Sequence, residues 1–380
     1  MKKLFALVGG AIRSYVKTTD KLLILLVLLS STLSCLLLYS LIPEMIGWKT
    51  LITQIGATVV GIVAMIIISL FDYHTLANLW KLHAPFTVLL TLLCFTPLGV
   101  MRGGDGMGSD DRNWLDLKFI MIQPSEFLKL SFILTFSLHC FTVRKNLNKP
   151  KNILLLCLHA AVPIGLIFKQ GDFGTMLVFV FIFLCIFFAA GVNWKYMLAG
   201  GALAAVAFPI AWKYVVPTYL KTRFSVAWHP EEYRLNEGMQ QYLGRITLGS
   251  GKLFGKGLNS DSLLTNTPEL YNDMMFAHIG QVFGFVGCIA VALIITVLCT
   301  KLLINARGAE DSLGTYICVG CFAVIFFQSV INIGMVLCAL PVIGITLPFY
   351  SAGGSSVLAM YMLMGIALSV HNNSRKNYMF

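Results

Sequence analysis

Residues 274–300 read MMFAHIGQVFGFVGCIAVALIITVLCT, with no Asp, Glu, Lys or Arg anywhere in the run. A helix needs roughly 20 mostly apolar residues to cross a bilayer. This stretch exceeds that length and is read as a membrane span. Comparable runs lie at about 22–43, 51–71, 83–101, 119–142, 152–169, 173–191, 195–215, 313–339 and 351–371. The expected fold is an all-α polytopic membrane protein of about ten transmembrane helices.

The whole chain agrees with its spans. Of 380 residues, 57% are hydrophobic and 12% are charged, and mean hydropathy is +0.80. Soluble domains carry roughly 25% charged residues. The net charge is +11, but its cations are scattered in short loops. That is the positive-inside bias of a membrane protein, with a weaker implication of membrane-lipid or phosphate binding, and no nucleic-acid partner is expected. None of the ten cysteines lies between Trp194 and Gly287, so no disulfide staples the longest loop. Cys318 and Cys321 are read as small apolar helix residues. The seven histidines are dispersed, and no metal site is expected. The first 21 residues have a short apolar run followed by Arg13, Lys17 and Lys21, which suits a cytoplasmic leader better than a signal peptide.

With the N-terminus inside, the inner segments hold 15 Lys and Arg against five in the short outer loops. This predicts cytoplasmic N- and C-termini. One domain is expected over 1–380, with a leader at 1–21 and a large extracytoplasmic loop at 217–272 between helices seven and eight. Two further outer-face segments are expected: the first along the chain, 101–118, is rich in Gly and Asp, and the last, 340–356 (LPVIGITLPFYSAGGSS), is uncharged yet broken by two prolines and three glycines. Such backbone must be enclosed by protein or line a cavity, because lipid cannot satisfy it.

Few residues in this setting can carry chemistry. Glu126 and Lys129 are three apart, so they share a helix face, and ionisable pairs within a span mark a functional interior or an ion pair that fixes packing. Asp273 is the last acid before the eighth span; it is either a helix N-cap or a general base at a cavity mouth. Asp172, in KQGDFGT, is read first as the cap of helix six. In the long loop, GSGKLFGKGLNSD brings Lys252 and Lys256 among glycines. It either cradles a pyrophosphate through backbone N–H groups and charge or lies solvated against headgroups.

Four segments together resemble the SEDS family (shape, elongation, division and sporulation), most like its RodA branch and then FtsW. They are RNWLDLKFIMIQPSEFLKL (112–130), KQGDFGTMLVF (169–179), NDMMFAHIGQVFGFVG (272–287) and NIGMVLCALPVIGITLPFYSAGGSSV (332–357). The chain departs from the family pattern at Asn113, Gly171, Gln281, Ile343, Thr346 and Ala352. The resemblance implies a peptidoglycan glycosyltransferase of the bacterial cytoplasmic membrane, serving cell-wall elongation and rod shape or, as a paralogue, division or sporulation. Its implied substrate is lipid II. Its implied partners are a class B penicillin-binding protein and other elongation proteins.

On this reading Asp273 is the catalytic base. The expected substrate-binding residues are Arg112, Trp114, Gln123, Glu126, Lys129, Asp172, Lys252, Lys256, Ser351, Gly353, Gly354, Ser355 and Ser356. No tightly bound cofactor is expected; a divalent cation, Mg or Mn, is an alternative clamp for the pyrophosphate. The rival reading is a lipid II flippase without chemistry, since Glu126 and Lys129 would equally suit a transport pathway. A third is a scaffold that only positions the penicillin-binding protein.

Overall fold

The structure is a computed structural model that describes residues 18–42, 44–100, 112–118, 121–236 and 238–377. Most of the expected leader and residues 101–111 of the first outer segment lie outside that range. The helices are α1 Lys21–Leu41, α2 Trp48–Leu70, α3 Tyr73–Asn78, α4 Trp80–Leu93, α5 Pro124–Val143, α6 Pro150–Lys169 and α7 Phe173–Ala189. They continue as α8 Trp194–Tyr214, α9 Thr218–Trp228, α10 Met239–Ser250, α11 Met275–Arg307, α12 Ser312–Val336 and α13 Gly354–Asn377. Each run read as a span falls on one of these helices. Eight are long and apolar enough to cross a bilayer; α4 and α7 are apolar but shorter. The protein is a multi-pass membrane protein.

Helix ends follow local chemistry. Asp20 caps α1 by accepting from the Leu23 N–H at 3.3 Å. The third span was expected to reach 101, but α4 stops at Leu93. Thr96 precedes Pro97, and a residue before proline is turned away from helical backbone. The chain then forms a small antiparallel sheet of β1 Gly99–Val100, β2 Trp114–Asp116 and β3 Met121–Ile122, with Gly99 opposite Leu115 and Leu115 opposite Ile122. This sheet also delays the fourth span, which starts at Pro124 rather than 119. Proline at the first helical position loses no hydrogen bond.

The largest departure from the expected spans is in the 274–300 run. Helix α11 is two helices broken at Gly284, whose φ of 68° and ψ of −167° are non-helical. Residues 275–282 are all buried, whereas 285–307 alternate buried and exposed positions. The second piece alone measures about 35 Å at 1.5 Å per residue, enough for the roughly 30 Å hydrocarbon core. The first piece is therefore free to sit inside the protein. Only glycine adopts this backbone without strain, and the break is enclosed by the 252–256 loop, as non-helical backbone at membrane depth must be.

Helices α5, α12 and α13 form the centre, and α8 has no buried residue. Close approach of α2 and α13 depends on small residues. A Cβ at Gly61 would stand 2.7 Å from the Tyr361 ring, and one at Gly365 would stand 2.8 Å from the Met65 carbonyl. Lipid supplies no hydrophobic drive between helices, so tight packing of this kind holds them together. The long 217–272 loop is itself folded: α10 packs against the start of α11 and the end of α12, with Gln241 donating to the Met335 and Leu340 carbonyls at 3.2 and 2.8 Å.

Candidate active site around Asp273

The 340–356 segment is mostly buried, with Gly344 exposed, and polar side chains from five helices bond its backbone. Ser34 of α1 donates to the Tyr350 carbonyl at 2.6 Å. Gln54 of α2 accepts from the Gly353 N–H at 3.1 Å and donates to Ser34 at 3.1 Å. Gln241 of α10 and Asn332 of α12 donate to the Leu340 and Ile345 carbonyls, and Arg223 of α9 donates to the Val342 carbonyl at 3.2 Å. Ser34, Gln54, Gln241 and Asn332 are not among the site residues expected from sequence. Their signal was present: a buried polar group in a span must have a partner.

Asp273 lies against this segment. Its carboxylate faces Gly344, where an added Cβ would stand 3.6 Å from Oδ2. Asn332 donates from one nitrogen to the Asp273 carbonyl at 2.8 Å and to the Ile345 carbonyl at 2.7 Å. Neighbouring residues are pinned too. Ser351 donates to the Asn272 carbonyl at 2.6 Å, and the Ala352 N–H donates to the Tyr271 carbonyl at 2.8 Å. The N-cap position of α11 is Met274, so Asp273 stands one residue before it and not in the capping place. Its side chain is half-buried.

On the other side of the same segment, Asp172 does cap α7, accepting from the Thr175 N–H at 2.9 Å through Oδ1. Its Oδ2 accepts from Asn113 at 2.9 Å and Gln123 at 3.3 Å. The Gln123 N–H donates to Ser355 at 3.3 Å. The starts of α5, α7 and α13 thus meet at one node. Asn113, noted only as a departure from the family pattern, is part of it. Gly174 closes the packing, because a Cβ there would run into the Ile343 carbonyl.

One turn into α5, Lys129 Nζ lies 2.8 Å from Glu126 Oε1, and both side chains are buried. Glu126 occupies the first turn, where the helix dipole favours a negative charge. Its Oε2 is buried without a hydrogen-bond partner among the described residues.

The remaining expected residues divide. Ser351, Ser355 and Ser356 are buried around the segment, and Ser356 lies 3.5 Å from Thr346. Gly353 and Gly354 are half-buried beside them, Gly354 against Thr53 of α2. Trp114 is half-buried on β2, and Arg112 is exposed just before it. Lys252 and Lys256 belong to a loop packed on the α11 break. The N–H groups of Lys252, Gly255, Lys256 and Gly257 already donate to the Gly249, Gly251, Gln281 and Val282 carbonyls. The backbone cradle expected for a pyrophosphate is therefore spent on packing. Lys256 Nζ donates to the Ser262 carbonyl at 2.6 Å, and Lys252 is exposed. Gln281, where the family pattern has an acid, accepts from the Leu264 N–H at 2.8 Å and donates to its carbonyl at 3.3 Å. A carboxylate could not make the second bond.

The chain matches the cell cycle protein family FTSW_RODA_SPOVE over residues 19–376. It is 31% identical to the stage V sporulation protein E of Bacillus subtilis (strain 168), over 94% of this chain and 98% of that protein. It is 29% identical to the peptidoglycan glycosyltransferase MrdB of Escherichia coli (strain K12), over 93% of each. Its fold is similar to that of the rod shape determining protein RodA of Thermus thermophilus, with a TM-score of 0.68, 23% identity, and coverage of 94% of this chain and 97% of that one. It is also similar to a chain in a structure describing coordination of polymerization and crosslinking by a peptidoglycan synthase complex, with a TM-score of 0.79, 24% identity, and coverage of 94% and 98%. Sequence and fold agree over nearly the whole length, and the chain belongs to the FtsW/RodA/SpoVE family of cell cycle proteins.

Proposed function

We propose that this chain is a peptidoglycan glycosyltransferase that polymerises lipid II at the outer face of the bacterial cytoplasmic membrane. In this reading ten spans place both termini inside, and α9, α10 and the 340–356 segment lie outside. One observation carries the site: Asp273 is a carboxylate held by its backbone against a broken, mostly buried segment, just before the buried first piece of α11. The relatives named above supply the reaction class.

The step forms a bond from an acceptor sugar hydroxyl to the anomeric carbon of the donor and breaks the bond from that carbon to the pyrophosphate, with inversion. Asp273 takes the hydroxyl proton and returns it to water. The undecaprenyl pyrophosphate leaves unprotonated, its charge offset by cationic side chains. Arg112 and Lys252 are exposed and available for this; Lys129 is committed to Glu126. A magnesium or manganese ion is the alternative clamp. Among the described residues no group of three or more His, Cys, Asp or Glu is placed to hold a metal ion, so the substrate's phosphates would supply most of its ligands. The polyprenyl tail stays in the bilayer. A class B penicillin-binding protein would cross-link the product strands.

The deciding experiment is lipid II polymerisation by the purified chain, with and without its penicillin-binding partner and with and without EDTA. Glycan strands from wild type and none from Asp273→Asn support the reading. Transfer of lipid II across vesicles without lengthening would replace it with transport.

A further inference from the structure

A cavity of about 560 Å³ opens between α4, α5 and α6, away from Asp273 and its segment. Its floor is α5, from Leu128 to Thr142, and its walls are Trp80, Ala84 and Val88 of α4 and Val162 and Pro163 of α6. The α5 residues from Leu128 to Thr142 cover about 21 Å at 1.5 Å per residue, which is the length of a lipid chain rather than of a compact solute. The groove is lined mostly by carbon, yet Ser131, Thr135, His139 and Thr142 run along its floor at helical spacing. Polar side chains facing lipid need partners.

Most of these polar groups find partners in the protein. Ser131 bonds His83 Nδ1 at 2.8 Å, and Thr135 meets His159 Nε2 at 3.2 Å. His139 and His159 share one proton between their Nδ1 atoms at 3.1 Å. Nε2 of His139 is left with no partner among the described residues. It lies five residues before Arg144, about 7 Å along the helix. Arg144, Lys145, Lys149 and Lys151 crowd that end, and Lys81 follows Trp80 at the mouth. Between 117 and 171 the only acid is Glu126, near the opposite end of α5. Arg144 is exposed beyond the Phe141 ring it stacks on at 3.9 Å.

We propose that this groove binds one anionic glycerophospholipid of the cytoplasmic leaflet. Its acyl chains lie along Ala84, Val88, Phe132 and Val162. Its ester and glycerol oxygens meet His139 Nε2; that region carries both acceptors and, with a glycerol headgroup, donors, so it serves either tautomer. Its phosphate sits among Arg144, Lys145 and Lys149. The order of groups along the groove, carbon, then one unpaired nitrogen, then cations, matches the order along such a lipid from tail to head. The proposal uses the inside placement of these cations and is independent of the polymerase assignment.

The test is native mass spectrometry of the full-length protein in detergent, titrated with phosphatidylglycerol or with phosphatidylcholine of the same chains. Wild type should hold one phosphatidylglycerol with a preference of about tenfold or more, since each surface cation near an anionic headgroup adds several-fold. Ala84→Trp, which fills the groove, should lose that adduct at unchanged melting temperature. Arg144→Ala/Lys149→Ala should keep a lipid but lose the preference. If Ala84→Trp melts early, Val162→Phe fills the groove from the α6 wall and should lose the adduct instead. Equal retention of the two lipids by wild type, or an undiminished adduct in the well-folded groove-filled variant, overturns the proposal.

Discussion

The side-chain amide of Asn332 holds the carbonyl of Asp273 at 2.8 Å, and the same nitrogen holds Ile345 at 2.7 Å. One buried amide on α12 thus sets where the proposed base stands relative to the broken segment. Asn332→Ala should lower polymerisation about tenfold to a hundredfold, because a displacement near 1 Å is costly to an oriented reaction. Loss of the buried hydrogen bonds should cost about 1–3 kcal/mol of stability. A variant that melts earlier but polymerises at the wild-type rate would show that the clamp is structural only.

Asp273→Asn keeps the shape of the side chain and removes its basicity. Its polymerisation rate should fall by about 10²–10⁴, the usual contribution of a general base. Melting temperature should be nearly unchanged. Rates near wild type in a folded Asp273→Asn protein would sink the assignment.

The Glu126–Lys129 pair separates a structural from a functional role. Replacing one member leaves a buried charge and should cost roughly 3–5 kcal/mol, whereas Glu126→Leu/Lys129→Met should recover most of that. If the pair serves catalysis, the double variant will fold and remain inactive. Recovered activity alongside recovered folding would assign the pair to packing.

Gly174→Ala places a methyl group into the Ile343 carbonyl at the foot of the site segment. Backbone cannot yield there as a flexible side chain would, so the variant should lose about 1–3 kcal/mol. Thermal melting in detergent reads this directly, and Ala tolerated without loss would mean the α7 approach is looser than described.

On the face expected inside, His74 bridges two carboxylates, with Asp72 and Asp311 each 3.0 Å from a ring nitrogen. Tyr73 donates to Asp311 at 3.0 Å and Asn373 donates to Asp72 at 3.3 Å, with Glu310 near by. Burial pulls the His74 pKa down, but bonds to Asp72 and Asp311 outweigh it and the net shift is upward. The protonated ring therefore contributes its full stability below about pH 6.5, its unfolded value, and loses it as pH rises through the higher folded value. The melting-temperature gap between wild type and His74→Gln should shrink between about pH 6 and pH 8. A gap that is flat or widens across that window contradicts the bridge.

The membrane fold was legible in the chain because every span is a long, mostly apolar run, and a bilayer admits almost nothing else. The positions of Asp273, Glu126, Lys129 and Asp172 were legible for a related reason: ionisable groups next to such runs stand out. Two features were not. The break at Gly284 sits inside an unbroken apolar run, and nothing local marks it, since it depends on the 252–256 loop packing against it from another part of the chain. Ser34, Gln54, Gln241 and Asn332 looked like ordinary polar interruptions because their partners lie in the 340–356 segment or just before it, most of them nearly a hundred or more residues away. Apolar length is a local property, and the sequence alone determined what it governs. Which carbonyl each buried amide must satisfy is decided only when the helices pack, because an unpaired polar group costs free energy wherever water cannot reach it.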